Sequence, residues 1–217
     1  MRKLYHAKTS SLLKAIFPTL VWDCHKNSNA IFLTFDDGPT PDVTDKALDI
    51  LKKFGANGTF FCKGVNVDKY PELFGRILKE GHEVGNHTFN HLKGWTTKNQ
   101  TYFNDIEMAD GLIGSKLFRP PFGKITYPQI KHLQKKFNII MWDVMSFDYD
   151  NSITPEECAN NVTTNVEPGS IITFHDSHSA SKNMLFALNH LLECSKGKFE
   201  FNKKLSEQLG LIPKIKL

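Results

Sequence analysis

The chain has no cysteine pair at metal-ligand spacing, no block of like charge and no apolar run near the roughly 18 residues of a membrane span. Cys24, Cys62, Cys158 and Cys194 stand far apart. Cys62 ends a β-like run and Cys158 lies in a helical one, so the cysteines read as buried thiols rather than ligands. Four free thiols favour a reducing compartment. Lys and Arg number 27 against 23 Asp and Glu, a formal charge of +4 too small and scattered to argue for nucleic acid, though compatible with a weakly acidic glycan. The N-terminus has the positive charge of an export signal in Arg2 and Lys3. Yet Lys14 and Pro18 interrupt the apolar stretch from Leu12 to Trp22, no small-residue cleavage site follows, and Val21-Trp22-Asp23 before Cys24 is a poor lipid-attachment context. The compartment therefore stays unknown, with the cytoplasm favoured. A helix lying on a surface around Leu12–Phe17 remains open.

What is present is alternation. Short apolar runs at Ile31–Phe35, Gly58–Cys62, Glu83–Gly85, Leu117–Arg119, Ile139–Trp142 and Ser170–Phe174 read as strands, and Phe199–Phe201 as a doubtful seventh. Between the first two, Ala47, Leu48, Leu51 and Phe54 recur at helical spacing and Gly55 closes the helix. Tyr70–Glu80 repeats the pattern and stops at Gly81. Thr154-Pro155-Glu156-Glu157 reads as an N-cap, a Pro at the first helical position and a capping-box Glu. Such alternation predicts an α/β fold with six or seven parallel strands, in an open sheet or a partial barrel. With no repeat, low-complexity tract or linker, 217 residues make one domain from about residue 29 onward, preceded by an N-terminal extension over 1–28.

Polar residues gather at one end of these strands. Asp36 and Asp37 follow the first, His87 the third, Asp143 and Asp148 the fifth; Arg119 ends the fourth and His175 the sixth. In parallel α/β folds the C-terminal strand ends form one face, where active sites sit. His87 and His91 are four residues apart, a spacing that shares one face on a helical turn. With Asp37 they make a two-imidazole, one-carboxylate set with open positions. That set suits one divalent ion: zinc first, with cobalt, nickel, iron or manganese as alternatives. Such an ion polarises a carbonyl and acidifies water, and the reaction still needs a base and an acid. Successive side chains on a strand point opposite ways. Asp36 is therefore the candidate base beside a ligand, and His175, arriving on another strand, the candidate acid. Asp148, Asp143 and Asp176 are rivals as partner to His175. His82 reads as structural; His6, His25, His132, His178 and His190 read as solvated.

Five segments, in order, resemble the polysaccharide deacetylases, the NodB-like carbohydrate esterases of family 4: Thr34-Phe35-Asp36-Asp37-Gly38-Pro39, His87-Thr88-Phe89-Asn90-His91, Arg119-Pro120-Pro121-Phe122-Gly123, Trp142 to Tyr149, and Ile171 to Asp176. The resemblance runs from about Ile31 to Leu192. It implies a distorted (β/α) barrel and a metal-dependent hydrolase removing N-acetyl groups from a peptidoglycan- or chitin-like polymer or oligosaccharide. The alternatives are deacylation or deformylation of another amide, such as a lipid-linked sugar, and a non-catalytic glycan-binding relative. The resemblance implies Asp36 as base and Asp37, His87 and His91 as metal ligands. Arg119 would hold the catalytic aspartate ionised, the Phe122 backbone N–H would assist at the oxyanion, Asp148 would tune the histidine, and His175 would donate the proton. Three positions depart from the pattern. Phe122 replaces a tyrosine, Tyr149 replaces a tryptophan on one wall of the groove, and Thr173 replaces a leucine near the acyl methyl group.

Overall fold

The computed structural model describes residues 6–24 and 29–211; Arg2, Lys3 and His25 lie outside them. Seven strands form one parallel sheet: β1 (Phe32–Asp36), β2 (Gly58–Cys62), β3 (Glu83–Asn86), β4 (Leu117–Phe118), β5 (Asn138–Ile139), β6 (Val144–Met145) and β7 (Ile171–His175). Their order is β5-β4-β3-β2-β1-β7-β6. The helices are α1 (Ser11–Ile16), α2 (Val43–Phe54), α3 (Gly64–Lys69), α4 (Pro71–Lys79), α5 (Asn99–Ile113), α6 (Tyr127–Leu133), α7 (Pro155–Thr163), α8 (Ser181–Ser195) and α9 (Leu205–Gln208). None among the described residues is long and apolar enough to cross a membrane.

The central strands are buried on both faces, which explains why their sequences run nearly all apolar. Leu33 and Phe35 of β1 join Ile172 and Phe174 of β7 and the apolar faces of α2, α7 and α8 in the main core. Phe35 stacks between Phe60 and Phe174, with ring centres 4.6 and 5.8 Å away. The alternate residues, Phe32, Thr34 and Asp36 on β1 and Ile171, Thr173 and His175 on β7, point the other way, into the curl of the sheet. Phe32 and Ile171 pack there with Phe61, Leu117 and Ile140. In register, Thr34 lies beside Thr173 and Asp36 beside His175. One period-2 pattern thus puts the apolar floor and the polar rim of the barrel on the same side chains' face.

The fifth expected strand, Ile139–Trp142, ends at Ile139, and a strand that was not expected, β6, follows at Val144–Met145. β5 pairs with β4 at one edge of the sheet and β6 with β7 at the other. The chain crosses between them in four residues, so the edges face each other across a narrow seam. Residues 6–24 fill it: Val21 bridges to Ile140, Lys8 to Val144 and Asp23 to Ser170. Phe199–Phe201 is not the seventh strand; Glu200 makes a single bridge to Ala30. Ser10 caps α1 by accepting from the Leu13 N–H, and Leu12 and Ile16 stay exposed on this surface helix. Cys24, Cys62 and Cys158 are buried as expected, whereas Cys194 is exposed.

Asp143 belongs to the seam rather than to the polar face. It precedes β6, beside Ser170 before β7, at the opposite end of these strands from His175. Its buried carboxylate accepts from Lys8 and Lys14, each at 2.7 Å, and from the Ser170 hydroxyl. Burial works to raise its pKa, but the Lys14, Lys8 and Ser170 hydrogen bonds hold it below the usual value. A carboxylate depressed in the folded state stabilises above its unfolded pKa, about 3.9, and that contribution fades as pH falls through the folded value. Asp143→Asn is therefore expected to cost about 2 kcal/mol at pH 7, less than a fully buried pair because both ammonium groups reach solvent. Thermal melts should show the gap closing as pH is lowered below about 4. A gap of constant size would mean that charge is not what Asp143 contributes.

Candidate active site

β1 ends in Asp36, and the chain turns at once: Asp37 has φ 84°. Asp176, just past β7, grips the backbone on both sides of Asp37. Its N–H donates to Asp36 O at 3.0 Å, and its Oδ1 accepts from the Gly38 N–H at 2.9 Å. Its Oδ2 accepts from the Thr44 hydroxyl at 2.5 Å. Burial holds this carboxyl up at about 7. A Cβ at position 38 would lie 2.0 Å from Asp176 Oδ2, so glycine is the residue that fits. Asp176 is thus a brace for the turn, not the partner of His175.

His87 and His91 come together by a different route from a helical turn. The segment after β3 is an irregular loop in which Thr88 (φ 62°) and His91 (φ 59°) are left-handed. Asp105 on α5 pins it, accepting from the Phe89 and Asn90 N–H groups at 2.8 and 2.9 Å and from the Asn90 side chain. Asn86 accepts from the Thr88 N–H, and Thr88 Oγ1 from the Leu92 N–H. His87 Nδ1 lies 2.8 Å from Arg119 O, so it carries the proton and leaves Nε2 free to face Asp37.

The donor atoms of Asp37, His87 and His91 lie within 4.8 Å of one another. Burial lowers the pKa of both imidazoles, that of His91 to about 4, so each ring is neutral near pH 7 with a lone pair to offer. Burial acts to raise Asp37, but His87, His175, His91 and Lys63 outweigh it and keep it lowered. Asp37 Oδ1 is buried without a hydrogen bond, 3.1 Å from His91 Nε2, with the Lys63 ammonium no nearer than 3.8 Å. Electron pairs facing one another with no proton between them are costly unless a cation lies among them. The donor set therefore fits a divalent ion.

Arg119, wholly buried at the end of β4, organises the opposite wall. Its Nη1 donates to Asp36 Oδ1 at 2.8 Å and to Thr34 Oγ1 at 2.7 Å. Nε and Nη2 donate to the carbonyls of Ile140 and Met141, and the guanidinium lies 4.1 Å over the Phe61 ring. Both carbonyls lie just past β5, in the crossing that leads to β6. Thr173 is fully buried on the same face, one strand step below His175, its hydroxyl 3.4 Å from Thr34 Oγ1.

Asp148 settles the contest for His175. Its Oδ1 lies 2.7 Å from His175 Nδ1, and its Oδ2 accepts from the His175 N–H at 2.7 Å. Burial acts to lower this imidazole, but the Asp148 charge and hydrogen bond win and raise it to about 9. Tyr149, half-exposed, meets the His175 ring edge-on at 4.9 Å. Phe122, left-handed at φ 59°, lays its exposed ring 4.6 Å from that of His91.

Residues 24–139 match the family described as polysaccharide deacetylase. The chain belongs to that family. It is 34% identical over 196 residues to a peptidoglycan-N-acetylglucosamine deacetylase of Bacillus cereus, covering 83% of this chain and 89% of that one. It is also 34% identical over 186 residues to chitin deacetylase 2 of Saccharomyces cerevisiae, covering 79% of this chain. It spans 57% of the length of that yeast protein and of a second B. cereus relative. A crystal structure of a peptidoglycan N-acetylglucosamine deacetylase in complex with 4-naphthalen-1-yl-N-oxidanyl-benzamide superposes with a TM-score of 0.85. The two share 30% identity over 94% of this chain and 99% of that one.

Sequence reading missed Asp105, Thr34 and the brace formed by Asp176. His82 is structural, as expected, accepting from the Gly58 N–H. His132 and His190 are not simply solvated; they stack on Phe103 and Phe186. Because Asp176 fixes the turn that carries Asp37, Asp176→Ala is expected to weaken binding of a divalent ion, read with zinc as the probe, by about 10- to 100-fold. Asp176→Asn, which keeps an acceptor for the Gly38 N–H, should stay near wild type. Calorimetric titration of metal-stripped protein measures this, and equal affinity in all three proteins would remove Asp176 from the site.

Proposed function

We propose that the protein is a metal-dependent hydrolase that removes N-acetyl groups from an N-acetylated glycan, peptidoglycan- or chitin-like, releasing acetate. The observation that carries this reading is the pairing of opposites across one strand register. A base candidate locked by Arg119 stands beside an acid candidate locked by Asp148, next to an unprotonated Asp-His-His set. The family relatives named for glycan deacetylation support the substrate class.

A divalent ion held by Asp37, His87 and His91, zinc in preference to cobalt, nickel, iron or manganese, supplies Lewis acidity for the carbonyl and the water. The rest falls to side chains. Asp36 Oδ2, the oxygen not bound to Arg119, accepts the proton of the attacking water as its oxygen adds to the acetyl carbon. Arg119 keeps that carboxylate from rotating. The Phe122 N–H donates to the oxygen that gains charge. His175 Nε2–H then protonates the nitrogen as the C–N bond breaks, giving acetate and a free amine. Asp148 fixes the tautomer and the charge that this step requires. Tyr149 walls the groove beside His175, and Thr173 closes the floor under the acyl group.

Acetate release from N-acetylglucosamine oligomers should vanish with a chelator and return with zinc. Asp36→Asn should keep its metal, read by elemental analysis, while turnover drops about 10²- to 10⁴-fold. Asp37→Asn should lose the metal itself, and the reverse pattern would exchange the two roles. The pH profile gives a separate check. Protonated His175 acts below its pKa, so kcat/KM should fall on the alkaline side. Asp148→Asn removes the charge that raises that pKa and should move the alkaline limb to lower pH. An unmoved limb would rule out His175 as the proton donor.

A further inference from the structure

Trp95 is 59% exposed, while Trp22 is buried and Trp142 half-buried. An indole left in water is usually mobile, yet this one is anchored. Its Nε1–H donates to Ile125 O at 2.9 Å. The turn carrying it, Gly94–Thr96, is held by Gln129, a fully buried amide. Gln129 donates to Gly94 O at 2.9 Å and accepts from the Thr126 N–H at 2.9 Å. Gly94 itself sits so close to the neighbouring loop that a Cβ would come 2.5 Å from Lys124 O. The loop after His91 and the loop carrying Phe122 are therefore locked to each other, with Trp95 projecting from the joint.

Phe122, also 59% exposed and on the loop locked to this joint, lies 4.6 Å from the His91 ring. Lys124 Nζ sits 4.1 Å from the centre of the Trp95 ring, and Lys93 Nζ 5.9 Å from that of Phe122. An indole and a phenyl ring, each with an ammonium group over one face, present apolar surface and charge together to a pyranose, whose C–H face is apolar and whose rim carries hydroxyls and, in some glycans, carboxylates. A hydrogen-bonded scaffold that holds apolar surface out in solvent has its compensation when a ligand covers it.

We propose that Trp95, with Lys124 and Lys93, forms a subsite for a sugar unit flanking the one that loses its acetyl group. This rests on the functional reading above and makes the enzyme selective for chain length. Contacts remote from the reacting bond contribute only when the substrate is long enough to reach them. The test compares kcat/KM for a chitin dimer, a chitin hexamer and a carboxylate-bearing peptidoglycan fragment of matched length, in wild type, Trp95→Ala, Trp95→Phe and Lys124→Ala. In Trp95→Ala the hexamer-to-dimer ratio should fall about tenfold, mostly through KM, and Trp95→Phe should restore most of it. A larger Lys124→Ala loss on the peptidoglycan fragment than on the hexamer would assign the subsite to a carboxylate-bearing sugar; equal losses would assign it to the neutral ring. A hexamer-to-dimer ratio unmoved by Trp95→Ala overturns the subsite while leaving the deacetylase reading intact. A wild-type enzyme that releases acetate from none of these substrates overturns both.

Discussion

The buried Arg119 guanidinium is the interaction on which the rest of the site depends. A cation wholly removed from water is tolerable only when its donors are matched, and here they meet Asp36, Thr34 and two backbone carbonyls, with Phe61 against its face. The carbonyls of Ile140 and Met141, in the crossing between β5 and β6, accept from Arg119. The Arg119 carbonyl in turn fixes the tautomer of His87. One residue thereby holds both Asp36 and His87 in place.

The electrostatics divide the site into two halves by the same physical means. Burial strips the proton from His87 and His91, which have carboxylates near but not hydrogen-bonded to a ring N–H, leaving two neutral donors. Burial acts on His175 as well, but the buried Asp148 carboxylate bonded to its Nδ1 reverses the outcome. Imidazoles of one ordinary pKa thus become neutral on one side of the site and protonated on the other. The register of β1 against β7 sets Asp36 directly beside His175.

Much of this was legible in the chain. The alternation of β-like and helical runs carries the α/β barrel, and the polar residues at strand ends carry the site, because both follow from period-2 and period-3.6 patterns. Asp36, Asp37, His87, His91, Arg119, Asp148 and His175 converge as the motifs suggest. What escaped depends on contacts without a local pattern. Asp105 lies in an ordinary amphipathic helix, and nothing in its sequence says that its carboxylate secures a loop some fifteen residues upstream. Asp143 looked like part of the polar face because the expected strand ran to Trp142, whereas β5 ends at Ile139 and Asp143 comes just ahead of β6. The histidine spacing suggested a helical turn, whereas left-handed residues at Thr88 and His91 bring the rings together. A spacing predicts proximity; it does not specify the backbone that achieves it.

The central claim is that Asp37, His87 and His91 hold the ion while Asp36, beside them and bound to Arg119, does not. A crystal structure of the zinc-loaded protein with anomalous data collected at the zinc edge tests it most directly. The account predicts one anomalous peak about 2.0–2.1 Å from one nitrogen of each histidine and at similar range from Asp37. Asp36 should remain on Arg119. A peak ligated by Asp36 or Asp176 in place of Asp37, or no peak among these three residues, would contradict it.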